Sequence, residues 1–512
     1  MIQPKPNRFS PQPALPLHAH TRATLVDRPP RSGARPVRAQ RASHARRRLF
    51  LAVLLLSLAS CARHAPPDVL VILIDTLRAD RVGTTEGERL APFLSSLARK
   101  GFFFRNAYAQ SSWTNPSVAT LLTSRYQSQH HITSFQAVLS PDEITLAEVL
   151  QQHGYATAGF VANILLRNNF GFGQGFDVYR VLLRNKPTPE GKPGFVKERA
   201  ERLNREALKW LDELGGKPPR PPVFMYLHYM EPHNPYDPPD EYVDRVLAGR
   251  PRPDLDAVNE RMNFPNLGNF TDDMVQAVKT FYDAEVISID TALHALFDEL
   301  AARHFLDNCI VVVVADHGEE FHEHGLMGHH QTLYEEVLRV PLIMLVPGQS
   351  TARTVEPVVS LTDVAPTVLD LAGLPAPATF EGGSLRAAMG LPRRSWWPFG
   401  GGPDLTPTGL PITGTAFSEL IKEGTQRQRP HERAAITATH KLILDVDESR
   451  EFYDLQADPG ETNKQAVAPE TQARLAGALA DFMKHTGQQP AATAGAVDAE
   501  TRERMRALGY HD

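Results

Sequence analysis

"DVLVILIDT", residues 68–76, sets six aliphatic residues in a row between two acids. No polar position alternates with them, so the segment reads as a strand buried on both faces, as in a parallel sheet. "VFMYLHY" (Val223–Tyr229), "CIVVVVADHG" (Cys309–Gly318) and "VPLIMLVPG" (Val340–Gly348) have the same character. Between them lie helical patterns: "APFLSSLARKG" (Ala91–Gly101), stopped by Gly101, and "DVAPTVLDLAG" (Asp363–Gly373), closed by Gly373. Strands alternating with helices predict an α/β fold, a mostly parallel central sheet flanked by helices.

Ligands of such sheets bind beyond the carboxyl ends of the strands. Asp75 stands at one such end, and Asp316 and His317 at another. A third supplies His228, Glu231 and His233 in "HYMEPHNPY", and "HHQTLYEE" adds His329 and His330. Two carboxylates and an imidazole, converging with a hydroxyl, suit a divalent cation bound by mixed O and N donors. Each residue also has an ordinary reading: Asp75 or Asp316 caps the next helix, and His228 is a satisfied core residue. "SSWTNPSVATLLTS" (Ser111–Ser124) raises the same choice for Thr114, two residues before Pro116 at the head of an apolar helical stretch. Thr114 is either an N-cap or a hydroxyl held where the helix dipole favours an anion.

Charge divides the chain. Of its 54 basic and 59 acidic residues, eleven and one fall within residues 1–60, so the remainder holds 43 and 58 and is acidic by 15. A body that acidic excludes general nucleic-acid binding, which needs Lys and Arg at phosphates. Arg46, Arg47 and Arg48 precede "LFLAVLLLSLAS", an apolar run of signal-peptide length that ends in "LASC", residues 58–61. This resembles a bacterial lipobox, which implies a lipidated Cys61 as the mature N-terminus and an envelope location. "RRLFL" (Arg47–Leu51) resembles, more weakly, a twin-arginine export signal. With Cys61 lipidated, Cys309 is the remaining cysteine and no internal disulfide forms. The expected division is an extension and signal over 1–60, a catalytic domain over 61–390 and a Pro/Gly-rich linker over 391–411. A smaller α+β subdomain over 412–512 completes it, with strand-like "THKLILD" and "EFYDL" and a helix from about Thr471 to His485.

In order and spacing, the motifs resemble the sulfatases, within the alkaline-phosphatase-like superfamily. "VILIDTLRADRVG" is similar to the opening metal-binding strand and turn, and "WTNPSVATLLTS" to the nucleophile motif. "EPHNPYDPP" is similar to the substrate loop and "ADHGEEFHEHG" to the second metal motif; "LYEEVLRVPLIMLVPG", "SLTDVAPTVLDLAGLP" and "EFYDLQADPGETNKQA" match later signatures. The resemblance implies Asp75, Asp316 and His317 as ligands of one divalent ion, with Thr114 as a metal-bridging nucleophile. It implies His233 and His329 at the ester group and leaving oxygen, and His330 and Arg78 at the substrate. The ion is calcium by family habit, manganese or zinc by the preference of the imidazole.

The chain departs from that pattern where the chemistry is decided. Sulfatases proper carry Cys or Ser at position 114, oxidised to formylglycine, and Arg at 118; here these are Thr114 and Val118. The second Asp of the opening pair is Thr76, and "AGFVAN" stands where a Gly-Lys-x-His segment is usual. The expected activity is metal-dependent hydrolysis of a sulfate or phosphate ester on a small molecule, glycan or lipid, at a membrane reached through Cys61. A cell-envelope phospho-group transferase and a catalytically degenerate binding lipoprotein are the competing readings.

Overall fold

The opening apolar run is the middle of a nine-stranded sheet. In chain order its strands are β1 (Asp68–Ile74), β2 (Phe102–Tyr108), β3 (Ala156–Val161), β4 (Val178–Val181), β5 (Val223–Tyr229), β6 (Cys309–Val314), β7 (Arg339–Leu345), β8 (Arg353–Val355) and β9 (Val359–Ser360). Their spatial order is β8-β2-β7-β6-β1-β5-β3-β4, with β9 beside β2. The structure is a computed structural model describing residues 65–185, 195–215, 220–263, 270–392, 414–422, 432–464, 467–487 and 498–507. All of these belong to one compact unit, Ala65–Asp512. Cys61, the extension before it and residues 393–411 of the expected linker lie outside the described residues.

Six of the eight strand pairings are parallel, and the two antiparallel ones both involve β7. The continuous apolar run of β7 predicts another parallel strand, and the structure reverses it. Such a run reports burial on both faces, which a covered strand has in either direction. The chain leaves β6 at its carboxyl edge, loops there over residues 315–338 and re-enters without crossing the sheet, so β7 is reversed.

Helices α1 (Pro92–Lys100), α2 (Thr114–Thr123), α3 (Ala200–Glu213), α4 (Asp272–Ala302) and α5 (Val364–Ala372) belong to this body. α1 stops at Gly101, and α5 closes at Gly373, whose φ of 80° is where glycine escapes the Cβ penalty. α4 is 31 residues long and braces the site's opening turn. Its Tyr282 hydroxyl donates to Thr76 O and accepts from Arg78 N, while Asp283 pairs with Arg81 at 2.9 Å. Both carboxylate oxygens of Asp290 accept amides from the first turn of α1, at Phe93 and Leu94, capping it from another element.

The C-terminal part is a four-stranded antiparallel sheet, β10 (Thr415–Leu420), β11 (Glu432–Thr437), β12 (His440–Leu444) and β13 (Arg450–Asp454), followed by α6 (Pro469–Thr486). Side-chain alternation sends Phe417, Ala435 and Leu442 toward Leu475, Leu479 and Phe482 of α6. It sends Ala416, Ala434, Ile436 and Ile443 toward Tyr108, Trp113, Leu333 and Val337 of the body. Among the described residues, no helix is long and apolar enough to cross a membrane.

Candidate active site

Strand register assembles the centre. In the parallel pair β1–β6, Leu73 lies opposite Val314, so two residues on Asp75 meets Asp316. In β1–β5, Leu73 lies opposite His228, and β3 carries Val161 to the same level. Asp75, Asp316, His317 and His228 are all fully buried.

The two carboxylates are held alike. Asp75 Oδ2 accepts Asn163 Nδ2 at 2.9 Å and His228 Nε2 at 3.2 Å. Asp316 Oδ1 accepts the amides of His317 at 3.0 Å and Thr76 at 3.3 Å. Each carboxylate thus has one oxygen tied to protein donors, and the other oxygens, Asp75 Oδ1 and Asp316 Oδ2, are buried without a hydrogen-bond partner. Both orphans face His317 Nε2, at 3.6 and 3.4 Å. His317 Nδ1 lies 2.9 Å from Gly318 O, an acceptor, so Nδ1 carries the proton and Nε2 presents a lone pair. Two anionic oxygens and a lone pair turned toward one point repel each other unless a cation sits between them.

These residues fit a divalent ion. The three ligand atoms lie within 4.8 Å of one another, and the donor set mixes carboxylate with imidazole. The electrostatics of the two carboxyls agree. Burial works to raise Asp75, but His233, His228 and His317 outweigh it and hold the carboxyl below its usual range. Burial, then the charge of Asp75, pushes Asp316 well above that range. Gly318 lets the backbone beside the pair pack against the short helix Glu335–Leu338 that leads into β7, since a Cβ there would fall 2.0 Å from Glu336 O.

Thr114 is not a cap. Trp113 is the N-cap of α2 with no side-chain capping bond, and Thr114 is the first helical residue, 1% exposed. Its Oγ1 instead lies 3.3 Å from His317 Nε2, which places the hydroxyl against the three-ligand cluster at the positive end of α2. Ser117 Oγ donates to Ser111 O and ties the first turn to the preceding loop. Next to Thr114, the buried Asn115 side chain leaves both its amide oxygen and nitrogen without a hydrogen-bond partner.

His233 and His329 come together with ring centroids 4.9 Å apart, and His329 lies 4.6 Å from His317. Burial lowers His233 to about 4, and burial followed by the neighbouring His317 lowers His329 well below its ordinary value. His329 Nδ1 pairs with Glu319 Oε1 at 3.1 Å, and burial raises Glu319 to about 7. His330 packs beside His329, and its carbonyl accepts Lys422 Nζ from the loop after β10. Arg78, expected at the substrate, bonds Asp80, Glu323 and the Glu319 carbonyl and stacks on Phe321. Glu231 accepts the Ala200 amide beside Lys197 and Glu285. Asn163, Glu319 and Lys422 escaped the sequence reading. The one available signal was Asn163 at the end of "AGFVAN", which stands near the place of the missing Gly-Lys-x-His segment.

Against known proteins, a family model described as Sulfatase matches residues 67–374. Arylsulfatase K of Bos taurus is 26% identical over 358 residues, covering 62% of this chain and 65% of its own length; the chain thus spans just under two thirds of that relative. A solved structure of BT4656, in complex with its substrate D-glucosamine-2-N,6-O-disulfate, superposes with a TM-score of 0.65 at 20% identity, covering 82% of this chain and 98% of that one. The phosphonate monoester hydrolase of Silicibacter pomeroyi superposes with a TM-score of 0.63 at 22% identity, covering 82% and 95%.

Proposed function

The chain belongs to the sulfatase family, and from that premise we propose a metal-dependent ester hydrolase whose nucleophile is Thr114. The observation that carries the reading is the Thr114 hydroxyl 3.3 Å from His317 Nε2, against two carboxylates with orphaned oxygens. Asp75, Asp316 and His317 would hold a divalent ion that lowers the hydroxyl pKa and neutralises charge on the transferred group.

The fold does not choose between sulfate and phosphate, since it is shared by a protein bound to a disulfated glucosamine and by a phosphonate monoester hydrolase. The nucleophile favours phosphate. Its Cβ bears a methyl group, so oxidation cannot give the formylglycine aldehyde. Nor can a sulfated threonine expel its group by collapse of a hydrate. A phosphothreonine is open to water at phosphorus, which returns the hydroxyl. The sulfate reading draws its support from the named activity of the arylsulfatase relative. Aryl phosphate, phosphodiester, phosphonate monoester and aryl sulfate substrates, each assayed with added calcium, manganese or zinc, decide the question. The expected order places a phosphorus ester first. A preference for aryl sulfate overturns it, and turnover of none of the panel removes the hydrolase reading.

The leaving group needs a proton. With Glu319 protonated and donating to His329 Nδ1, His329 carries its own proton on Nε2, free to pass to the departing oxygen as Nδ1 takes the carboxyl proton. The active form is the protonated carboxyl. It is therefore present below about 7 and lost as pH rises through that value. For an alkyl ester, kcat is expected to fall on the alkaline side of about 7, while a nitrophenyl ester, which leaves unaided, keeps its rate. Glu319→Gln should erase that alkaline limb; a limb unchanged in the variant assigns the proton elsewhere.

Lipid anchoring belongs to the same reading. The three arginines, the apolar run and "LASC" support a diacylated Cys61 as the mature N-terminus in a bacterial envelope. Mass spectrometry of the exported protein should find lipid on Cys61, and a chain retaining residues before it argues against the anchor.

A further inference from the structure

We propose that the chain holds a second divalent cation, of zinc-like preference, between His324, Glu336 and Glu461. His324 comes from the turn between the two-residue strands Glu320–Phe321 and Met327–Gly328, Glu336 from the short helix Glu335–Leu338, and Glu461 from the loop after β13. One ligand atom from each lies within 4.8 Å of the others. His324 Nε2, Glu336 Oε1 and Glu461 Oε1 are all buried atoms that make no hydrogen bond. The Glu336 and Glu461 side chains are 7% and 0% exposed.

Distances alone would allow an ion pair, because His324 Nε2 lies 3.2 Å from Glu336 Oε1. The pair does not meet hydrogen-bond geometry there, so an ion pair leaves both atoms without a well-formed bond. Two ligands of one tetrahedral zinc, each at about 2.0–2.1 Å, sit roughly 3.3 Å apart, and this separation matches such an edge. His324 is also fixed in orientation: its ring stacks on Tyr334 at 3.7 Å, and its amide is held by Glu320 Oε1.

Charge points the same way. Glu320, Glu335, Glu336 and Glu461 converge here, and Lys441 is the fully buried cation among them. Lys441 Nζ bonds Glu335 Oε1 and Glu461 Oε2, both at 3.3 Å, and lies 3.0 Å from Glu461 Oε1 without bonding it. One ammonium and one imidazole leave negative charge uncompensated in a dry setting, which a divalent ion removes. An imidazole with two carboxylates suits zinc better than calcium. Such an ion would tie the C-terminal sheet to the loop that carries Glu319 and His329. It takes no part in the chemistry proposed above, so the two readings stand or fall separately.

The test counts zinc in the chelator-stripped, redialysed full chain. Asp316→Asn, which disables the first cluster, should retain about one equivalent, and Asp316→Asn with His324→Gln should retain none. Zinc alone should also raise the melting temperature of the Asp316→Asn chain, a measurement that leaves all three new ligands intact. The site is overturned if the Asp316→Asn chain binds no zinc, in which case Lys441 alone balances the carboxylates. It is equally overturned if no melting shift appears, or if His324→Gln leaves the zinc content as it was.

Discussion

Thr114→Ala should lower kcat by about 10⁴-fold or more, the scale seen when a covalent nucleophile is removed, while leaving the fold and the bound metal almost untouched. The second half of that expectation is the discriminating one. A capping threonine costs about 1 kcal/mol when cut to alanine, but the N-cap here is Trp113 and the Thr114 side chain makes no capping bond. The melting temperature should therefore hardly move. Thr114→Ser keeps the hydroxyl and loses the methyl that restrains its rotamer, so it should retain measurable turnover. Thr114→Cys should not become an efficient sulfatase, because Val118 stands where the formylglycine recognition motif has Arg. A Thr114→Ala protein with wild-type turnover would return the residue to a structural role.

Asp316→Asn is expected to invert the order of stability between metal-free and metal-loaded protein. In wild type, Asp75 Oδ1 and Asp316 Oδ2 are orphaned beside the His317 lone pair. Asparagine keeps the oxygen that accepts the Thr76 and His317 amides. It also places an N–H₂ where the second oxygen lay 3.4 Å from His317 Nε2. Without metal, the variant should melt higher than wild type. The folded-state pKa of Asp316 is raised, so its contribution is present below the unfolded carboxyl range and lost as pH rises above it. The variant's advantage therefore grows from acid toward neutral pH. With calcium or manganese, which the His324 cluster is not expected to hold, wild type gains about 4 kcal/mol at a thousandfold excess over Kd, and the variant, missing a ligand of the first centre, gains little. Activity should fall with the metal. Thermal melts with and without chelator, paired with metal analysis, check all of this; equal metal content and parallel melts in the two proteins would remove the first ion site.

Much of this was legible in the chain because burial writes itself plainly. Runs such as residues 69–74 and 309–314 have no solvated face, and an acid within two residues of each, Asp75 or Asp316, marks the sheet edge. Gly101 and Gly373 closed their helices because conformation at a helix end is a local matter. Direction was not legible: β7 has the composition of its parallel neighbours and runs against two of them. Nor was α4, whose apolar positions mix with buried Tyr282, Asp283, Glu285 and Asp290, polar groups that are meaningful only once their distant partners are known. The same reason hid Glu319, one acid among several in "ADHGEEFHEHG" until His329 is seen against it. Arg78 was readable as a charge near the site, but the sequence does not reveal that Asp80 and Glu323 occupy it.

The parallel register that sets Asp75 beside Asp316 also governs when the centre can exist. Thr76 and Asp316 are 240 residues apart, and Thr114 and His317 are 203 apart. Closing a loop of that size costs roughly 2 kcal/mol more than closing one a tenth as long. Contacts of such separation also belong to slow folding. A chain still emerging from the ribosome has Asp75 and Thr114 in place but nothing for them to meet until β6 and its following loop have been made. An ion held at that centre would therefore arrive late, binding a structure already formed, and would act on the way out of the native state. Added metal should slow unfolding and leave the rate of refolding unchanged.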